Sequence, residues 1–190
     1  LGVAEGEIII VDDASLDGTV KVLFEKIGSK VKKIIYNDRK IGPILSLAAG
    51  AQSARYENLI LIKDTQILSL ADYEKMVAPI TKDEADLVYI KDDIFETDWQ
   101  NRFLNFWANF WLNISGVMVN ASHKAFKRKC LSKIYKSGSK FGADAELLAY
   151  LQKQKFHLKM IKINHKTFSQ PQTFYDFLMS LYAIVRYKLF

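Results

Sequence analysis

Short apolar runs and longer periodic segments alternate along the first half of the chain. The runs are rich in Ile, Leu and Val, are four to six residues long, and end in polar or charged residues, which is typical of β-strands. Helical patterns of about ten residues separate the first three of them. The predicted strands are Glu7 to Val11, Lys33 to Tyr36, Asn58 to Ile62, Asp86 to Ile90 and Leu158 to Ile163.

Strands that alternate with helices predict an α/β fold. The predicted helices are Gly18 to Lys26, with Thr19 as the cap, and Ile44 to Ala54. Helical crossovers of this length join parallel strands. The continuous run IIIV at 8–11 fits a parallel strand that is covered on both faces. We therefore predict a mostly parallel central sheet that is flanked by helices.

Composition narrows the class of protein. A chain of 190 residues fits one domain, and its single cysteine, Cys130, excludes an intrachain disulfide and predicts a buried thiol. No apolar run reaches the ~18 residues that a membrane span needs. The net charge of +6 with 13% aromatic residues suits an anionic partner, such as nucleic acid, a nucleotide substrate or lipid headgroups.

Because the chain starts at Leu1 and enters a strand at once, we expect it to derive from a longer protein.

Two aspartates, Asp12 and Asp13, stand where the first predicted strand ends. In open α/β sheets, ligands bind outside the carboxyl ends of the strands, where carboxylates can accept hydrogen bonds from a ligand. The other interpretation is a turn or a helix cap, since Asp17 and Gly18 are ordinary turn residues. The two aspartates alone leave both interpretations open.

The longer string VDDASLDGT resembles the VDD-G-S-x-D-x-T signature of the family 2 glycosyltransferases, which have the GT-A (nucleotide-diphospho-sugar transferase) fold. The resemblance covers nearly the whole chain. YNDRKIGPILSLAAGAQSA is similar to the segment after the family's next strand, and FGADAELLAYLQKQKFHLKMIKINHKTF is similar to its acidic helix and the strand beyond. The phrase FGADAELL is most similar to the branch that makes dolichyl- or polyprenyl-phosphate sugars.

The resemblance implies a nucleotide site at the two aspartates. Asp13 would bind the base of a nucleotide-sugar donor, with Asp12 as its partner at the strand end. Arg39 and Lys40 would supply positive charge, since Pro43 stands where the family usually has a basic residue. In the acidic helix, Asp144 and Glu146 would orient groups or act as a base. They are two residues apart, so only one of them is expected to face the site.

Two departures from the family concern the first strand and the metal. The family's first strand is absent, so residues 1–170 would form an N-terminally incomplete GT-A domain. The metal-binding D-x-D is replaced by KDT at 63–65. In one alignment Lys63 neutralises the donor diphosphate directly. In the other, Asp64 is the main protein ligand of Mg²⁺ or Mn²⁺, which a single carboxylate and the substrate phosphates can hold.

The acceptor side is predicted from the second half of the chain. A helix is predicted from the sequence TDWQNRFLNFWANFWLNISG at 97–116. Apolar residues cover most of its circumference, which fits either a helix in the core or a helix that lies at a bilayer interface. Residues 171–190 predict an amphipathic helix, and the resemblance makes it juxtamembrane. Lys91 and Arg102 are candidates for holding an acceptor phosphate, and Arg102 lies where the resembling branch has a basic residue at the start of this helix. An anionic phosphate needs no strong base for its attack on a sugar carbon, whereas a hydroxyl does.

The resulting hypothesis is a hexosyltransferase that moves a sugar from a nucleotide-sugar donor to a polyprenyl or dolichyl phosphate at the cytoplasmic face of a membrane. No nucleic-acid partner is expected, and a homo-oligomer is compatible with the sequence. The alternatives are a family 2 transferase that acts on a saccharide hydroxyl, and a non-catalytic GT-A module, suggested by KDT, that binds a membrane or a partner. A phosphoryl-accepting receiver domain shares IIIVDD but has no place for SLDGT or the aromatic second half.

Overall fold

The computed structural model describes residues 6–62, 68–91, 99–112, 123–131, 143–163, 177–178, 180–182 and 185. At 91, 101, 112 and 143–146 it describes the backbone alone. These residues form six strands, five α-helices, a 3-10 helix at Arg128–Leu131 and helical residues at 177–178, 180–182 and 185. The elements in chain order are β1 (Ile9–Asp12), α1 (Thr19–Val22, continued by a π-helical turn at Leu23–Ile27), β2 (Lys33–Tyr36), α2 (Pro43–Ser53), β3 (Asn58–Ile62), α3 (Leu70–Thr81), β4 (Leu87–Lys91), α4 (Trp99–Leu112), β5 (His123–Lys127), α5 (Ala143–Lys153) and β6 (Leu158–Lys162).

The strands form two sheets. β1 and β2 pair in parallel, and a four-stranded sheet has the order β3-β5-β4-β6. Within it β4 and β6 are parallel, whereas β5 is antiparallel to both β3 and β4. The five predicted strands are present, shifted by two residues at most. The prediction of an α/β fold is confirmed, but the larger sheet is mixed rather than mostly parallel.

β5 makes the sheet mixed because of where the chain re-enters it. His123, the first residue of β5, pairs with Ile62, the last residue of β3. β5 therefore starts at the edge of the sheet where β3 ends, and it must run in the opposite direction. Its sequence, HKAFK, contains no continuous apolar run, so the hydrophobic pattern did not predict it.

Helices cover both faces of the larger sheet. Along β4, Leu87 and Tyr89 pack on one side with residues of α2, α4 and α5. Val88 and Ile90 pack on the other side with α3. All four are essentially inaccessible to solvent. Alternate side chains of a strand point to opposite faces, so a strand that is covered on both sides needs apolar residues throughout.

Helices α1 and α2 both begin without a hydrogen bond from the side chain of the capping residue. Gly18, with φ 86°, precedes α1, and the Asp17 carboxylate accepts hydrogen bonds from both the N–H and the hydroxyl of Thr19, at 3.1 and 2.5 Å. The predicted cap at Thr19 is therefore wrong, because its hydroxyl is the donor in a turn built by Asp17. Before α2, Gly42 has φ 92° and Pro43 occupies the first helical position, which its fixed φ favours.

α4 has one buried and one open face. Leu104 and Ala108 are completely buried in the core, whereas Trp99, Phe106 and Phe110 are 64%, 65% and 71% exposed. The core therefore covers only one side of this helix, so the prediction of a helix clamped in the core on all sides is wrong, and the prediction of a bilayer interface stays a prediction. Within the described residues, no helix combines the length and apolarity that crossing a membrane requires.

The single cysteine is a core residue, as predicted. Cys130 is buried, and its thiol lies 3.4 Å from the backbone carbonyl of Asp86. Burial raises its pKa to about 11. A thiol with so high a pKa is almost entirely protonated near neutral pH and is a poor nucleophile.

Candidate functional site

Polar residues gather at the carboxyl ends of β1 and β2. Asp12 ends β1, Asp13 follows it, and Asn37 follows β2. The N–H of Asn37 donates to the carbonyl of Asp12 at 3.0 Å, which continues the parallel pairing beyond the strands. The parallel register therefore brings these three residues to one edge of the sheet, where ligands of α/β proteins bind.

Asp13 connects the end of β1 to the start of α2. Its carboxylate accepts hydrogen bonds from the Asn37 side-chain amide at 3.0 Å and from the N–H groups of Ile41 and Gly42, both at 2.9 Å. Burial by itself raises the pKa of Asp13, but these hydrogen bonds outweigh it and hold the pKa below its ordinary value. The ionised carboxylate also lies at the amino end of α2, where the helix dipole favours negative charge.

Asp12 has a separate structural role in the same turn. It is buried, and its carboxylate accepts a hydrogen bond from the N–H of Ser15 at 3.0 Å. Between them, Ala14 has a positive φ of 57°. Both aspartates thus accept hydrogen bonds that build turns, as one interpretation of the sequence held, and both stand at the carboxyl ends of the strands. A direct contact of Asp13 with a nucleotide base stays a prediction.

The loop that Asp13 holds carries two cations. Arg39 and Lys40 are exposed and lie between Asn37 and Ile41, the residues that donate to Asp13. Lys40 is also close enough to Asp17 to contribute to the lowered pKa of that carboxyl group, behind the hydrogen bonds from Thr19. The loop therefore presents positive charge at the carboxyl edge, which suits an anionic ligand.

The other predicted site residues are distributed as follows. Lys91 ends β4 at the same edge and pairs in register with Lys162 of β6. Asp144 and Glu146 lie in the first turn of α5, where the structure describes the backbone alone. Arg102 is exposed on α4. Lys63 and Asp64 lie outside the described residues.

The described part of the chain shows no group of three or more His, Cys, Asp or Glu side chains that could hold a metal ion. The carboxylates of Asp12 and Asp13 already accept hydrogen bonds from the protein. His123 is fully buried, and His157 is exposed.

Sequence reasoning did not identify three residues that the structure places near this edge. Asn37 and Ser46 belong to the network of Asp13, because the Asn37 amide also contacts the Ser46 hydroxyl at 3.0 Å. Lys124 is completely buried in β5, opposite Leu61 of β3, and is engaged in an interaction there. A fully buried lysine is rare unless it is paired. Only its position in a central strand shows that it is buried, and that strand was not predicted.

Comparisons with known proteins agree with this architecture. Residues 4–134 match the family model for glycosyl transferase family 2. No curated protein matches the chain. A structure of glucosyl-3-phosphoglycerate synthase from Mycobacterium tuberculosis with phosphoglyceric acid superposes with a TM-score of 0.72 at 11% identity, covering 95% of this chain and 68% of that one.

Two further structures bear on ligands. The same synthase with Mn²⁺, UDP-glucose and phosphoglyceric acid gives a TM-score of 0.71 at 10% identity, covering 95% and 68% of the two chains. Mannosyl-3-phosphoglycerate synthase from Rubrobacter xylanophilus gives 0.63 at 14% identity, covering 96% of this chain and 62% of that one. At such identities the likeness establishes the GT-A fold alone.

The family model covers more than half of the chain, and it includes the turn at Asp12 and Asp13, the loop at 37–42 and the larger part of both sheets. The fold and the sequence match therefore agree, and the chain belongs to glycosyl transferase family 2.

Proposed function

We propose that this glycosyltransferase moves a sugar from a nucleotide-sugar donor to a polyprenyl or dolichyl phosphate at the cytoplasmic face of a membrane. One observation supports the choice of a lipid acceptor. It is an exposed surface on α4, here called the α4 surface, formed by Trp99, Arg102, Phe103, Phe106 and Phe110. The donor site is the carboxyl edge of the sheet around Asp12 and Asp13.

The α4 surface is a contiguous apolar stripe. Its four aromatic residues recur at intervals of three or four, which places them on one side of the helix, and Arg102 lies beside them. The rings of Phe106 and Phe110 are stacked, with centroids 6.3 Å apart and planes 8° from parallel. Soluble domains seldom expose several large aromatic side chains in one patch, and such patches commonly mark interfaces with proteins or membranes.

The C-terminal helical residues extend this surface. Phe177 is buried against Trp99 and Phe103, with ring centroids 6.0 and 5.9 Å away. Leu178 and Tyr182, which follow it, are exposed. The described part of the predicted amphipathic helix therefore adds apolar side chains beside the α4 surface, which supports interfacial binding.

Arg102 lies within the aromatic stripe, three residues after Trp99 and four before Phe106. An exposed cation among aromatic side chains suits the headgroup region of a bilayer, where rings sit at the interface and positive charge meets anionic phosphate. The same guanidinium is suited to hold the phosphate of a lipid acceptor. Lys91, at the carboxyl end of β4, is the second candidate for this role.

The donor assignment rests on the carboxyl edge. The exposed cations Arg39 and Lys40 suit a nucleoside diphosphate, and one fold neighbour is a complex with Mn²⁺ and UDP-glucose. We extend that pairing to this chain, with Asp64 and the donor diphosphate as ligands of a divalent cation and Lys63 beside them. The metal would supply charge for the departing diphosphate.

A phosphate acceptor determines the chemistry that the chain must perform. An acceptor phosphate oxygen attacks the anomeric carbon, the bond from that carbon to the donor diphosphate oxygen breaks, and the nucleoside diphosphate leaves with the bonding electrons. Because the attacking oxygen is already anionic, the protein contributes mainly alignment and positive charge. Asp144 or Glu146 would be needed as a base only for a hydroxyl acceptor.

The acceptor can be tested directly. Purified protein is incubated with UDP-glucose or GDP-mannose and either undecaprenyl phosphate in liposomes or free 3-phosphoglycerate. We expect a lipid-linked sugar and no labelled phosphoglycerate. Sugar transfer to phosphoglycerate alone would instead assign the chain the acceptor class of its fold neighbours, the 3-phosphoglycerate synthases.

Membrane binding can be tested separately by liposome flotation. Phe106→Ser with Phe110→Ser should release the protein from anionic liposomes, and binding of the unchanged protein should weaken as salt rises. Phe24→Ser is the matched control, because Phe24 is 78% exposed but lies outside the α4 surface. Equal flotation of all three proteins would remove the α4 surface from the proposal.

A further inference from the structure

The orientation of the Asn37 side chain is fixed by its two partners. Its amide nitrogen donates to the Asp13 carboxylate and to the Ser46 hydroxyl, both at 3.0 Å. A carboxylate only accepts hydrogen bonds, so the atom of Asn37 that faces Asp13 must be the NH₂ group. The carbonyl oxygen of the same side chain, Oδ1, is therefore held on the other side of the amide, next to the Asp13 carboxylate.

Oδ1 of Asn37 is an acceptor that a ligand can reach. The residue is only half-buried, and within the described part of the chain its Oδ1 accepts no hydrogen bond. Both amide protons are used by Asp13 and Ser46, so the side chain has acceptor capacity left and no donor. It follows β2 at the carboxyl edge and is separated from Arg39 by one residue, which places it in the proposed donor site.

Asp13, in contrast, has little acceptor capacity left. An ionised carboxylate can accept about four hydrogen bonds. One oxygen of Asp13 accepts from Asn37 and Ile41, and the other accepts from Gly42. Burial raises the pKa of Asp13, and the Ser46 hydroxyl is among the groups whose hydrogen bonds lower it. The carboxylate can therefore accept at most one hydrogen bond from a ligand.

The two residues together present two acceptors side by side. The N–H groups of Ile41 and Gly42 and the amide protons of Asn37 are all directed at partners inside the network. A ligand that satisfies both acceptors must offer two donors on neighbouring atoms. A ligand that places a carbonyl oxygen against either acceptor is repelled.

Guanine is the nucleobase that offers this arrangement. On its base-pairing edge the ring N1–H lies next to the N2 amino group. Adenine and cytosine each place an amino group beside a ring nitrogen that is itself an acceptor. Uracil has a single N3–H between two carbonyl oxygens, so one of them would face Asn37 or Asp13.

The limited capacity of Asp13 makes the second acceptor necessary. A carboxylate with two free oxygens could accept from both donors of guanine by itself. Asp13 cannot, because one of its oxygens already accepts from Asn37 and Ile41. The fold neighbour that binds UDP-glucose is only 10% identical to this chain, so its base does not decide the base used here.

We propose that Asn37 determines the base of the donor and that the donor is a guanosine diphosphate sugar. Asp13 accepts from N1–H of guanine, and Oδ1 of Asn37 accepts from the N2 amino group. The inference rests on the proposed donor site. It concerns the nucleotide and not the acceptor, so its test needs neither lipid nor sugar transfer.

The test compares three nucleoside diphosphates by calorimetry with the 190-residue chain in the same MnCl₂ buffer. IDP differs from GDP only in lacking the N2 amino group, and UDP carries the single N–H between two carbonyls. We expect GDP to bind about 10-fold more tightly than IDP and at least about 10-fold more tightly than UDP, because each weaker ligand leaves an acceptor of the site unpaired.

Asn37→Ser assigns the preference to one atom. The serine hydroxyl can still donate to Asp13, but the carbonyl acceptor is lost. The ratio of the GDP and IDP affinities should fall from about 10-fold to less than about 2-fold, since the cycle isolates the contact between Oδ1 and the amino group. A purely structural role of Asn37 would weaken both nucleotides equally and leave the ratio unchanged. Asp38→Ser, at the exposed neighbouring position, is the matched control and should keep the ratio at about 10-fold.

The outcomes separate this inference from the transfer reaction. Equal affinities for GDP and IDP, or tighter binding of UDP, would overturn the inference and leave the donor site and the lipid acceptor standing. A preference for GDP that survives Asn37→Ser would overturn the role of Asn37. If that variant does not fold, the ranking of the three nucleotides on the unchanged protein still decides the base. Binding of none of them would contradict the donor site and the inference with it, whereas a preference for GDP without sugar transfer to lipid would contradict the proposed function alone.

Discussion

The carboxyl end of β1 and the amino end of β4 each carry an aspartate with a lowered pKa, yet the groups that stabilise the two aspartates differ. At the carboxyl end, Asp13 is held by the neutral donors Asn37, Ile41 and Gly42. At the amino end, Asp86 lies 2.8 Å from the Lys129 ammonium. Its carboxylate also accepts from the N–H of His157 at 3.0 Å.

The difference determines where charge is left over. At the amino end, opposite charges neutralise each other, since Lys127 also contacts both Asp83, at 2.5 Å, and Asp86, at 3.5 Å. At the carboxyl end, the described residues give Asp13 no cationic partner, and Arg39 and Lys40 are exposed beside it, Lys40 also attracting the Asp17 carboxylate. The first arrangement holds the fold together, and the second also offers positive charge to an anionic ligand.

The largest effect expected from this contrast is on donor binding. Asp13→Ala should weaken nucleotide-sugar affinity about 10- to 100-fold, because both the predicted base contact and the hydrogen bonds that hold the 37–42 loop are lost, at roughly 1 to 3 kcal/mol. Calorimetry with UDP and GDP sugars measures it. Asp86→Ala is the matched control at the other end and should lower stability without changing affinity. Unchanged affinity in Asp13→Ala would exclude Asp13 from the donor site.

The next effect concerns charge at the carboxyl edge. If Asp64 is the main protein ligand of a divalent cation, Asp64→Asn should raise the metal concentration needed for activity about 10-fold. If Lys63 replaces the cation, activity should persist in EDTA and Lys63→Ala should abolish it. We expect the first result, because a departing diphosphate needs more positive charge than one lysine supplies. Full activity of Asp64→Asn in chelator would contradict it.

The sequence predicted the architecture better than it predicted the contacts of the site. Continuous apolar runs identify strands such as β4 because both faces of those strands are covered. The antiparallel strand β5 was missed because its lysines break the apolar pattern, although Lys124 is buried. Burial of a charged residue depends on partners that are distant in sequence, and one sequence does not show them.

The site shows the same limit. The aspartates could be placed at the end of β1 because they directly follow its apolar run. They could be interpreted as a site because ligands of α/β proteins bind at such strand ends. That the Asp13 carboxylate would accept hydrogen bonds from Ile41 and Gly42, 28 and 29 residues away, could not be predicted. Those contacts depend on the path of the chain from β2 into α2, which is fixed by tertiary packing. The exposed face of α4 was likewise not separable from its buried face until the core was known.

A smaller effect is expected on the pH dependence of stability, to which Asp13 and Asp86 both contribute. The folded pKa values of Asp13 and Asp86 are both below the ordinary 3.8, so ionisation of both carboxylates stabilises the fold above that pH. This contribution is lost as pH falls below about 4 towards the folded pKa values. Urea unfolding between about pH 5 and pH 2 should show a shallower loss in Asp13→Asn and in Asp86→Asn than in the unchanged protein.

Salt distinguishes the two contributions. Added NaCl should reduce the part that depends on Asp86, because Lys129 is more than half exposed and its attraction is screened. It should leave the part that depends on Asp13 nearly unchanged, because the partners of Asp13 are neutral. An equal salt response in the two variants would contradict the contrast between the ends.

The smallest effect is expected at the rim of the amino end. Glu84 and Lys159 are only 2.6 Å apart, but both side chains are nearly half exposed. Exposed ion pairs contribute little, since water and salt screen the attraction and two long side chains must be ordered. Glu84→Gln should therefore change the Tm by less than about 2 °C, whereas Asp86→Ala should lower it by several times as much. Differential scanning calorimetry of both variants, with Glu74→Gln as a control on the exposed side of α3, measures the difference. Equal shifts of the Tm for Glu84→Gln and Asp86→Ala would contradict this expectation. They would mean that the exposed ion pair of Glu84 stabilises the fold as much as the buried carboxylate of Asp86 does.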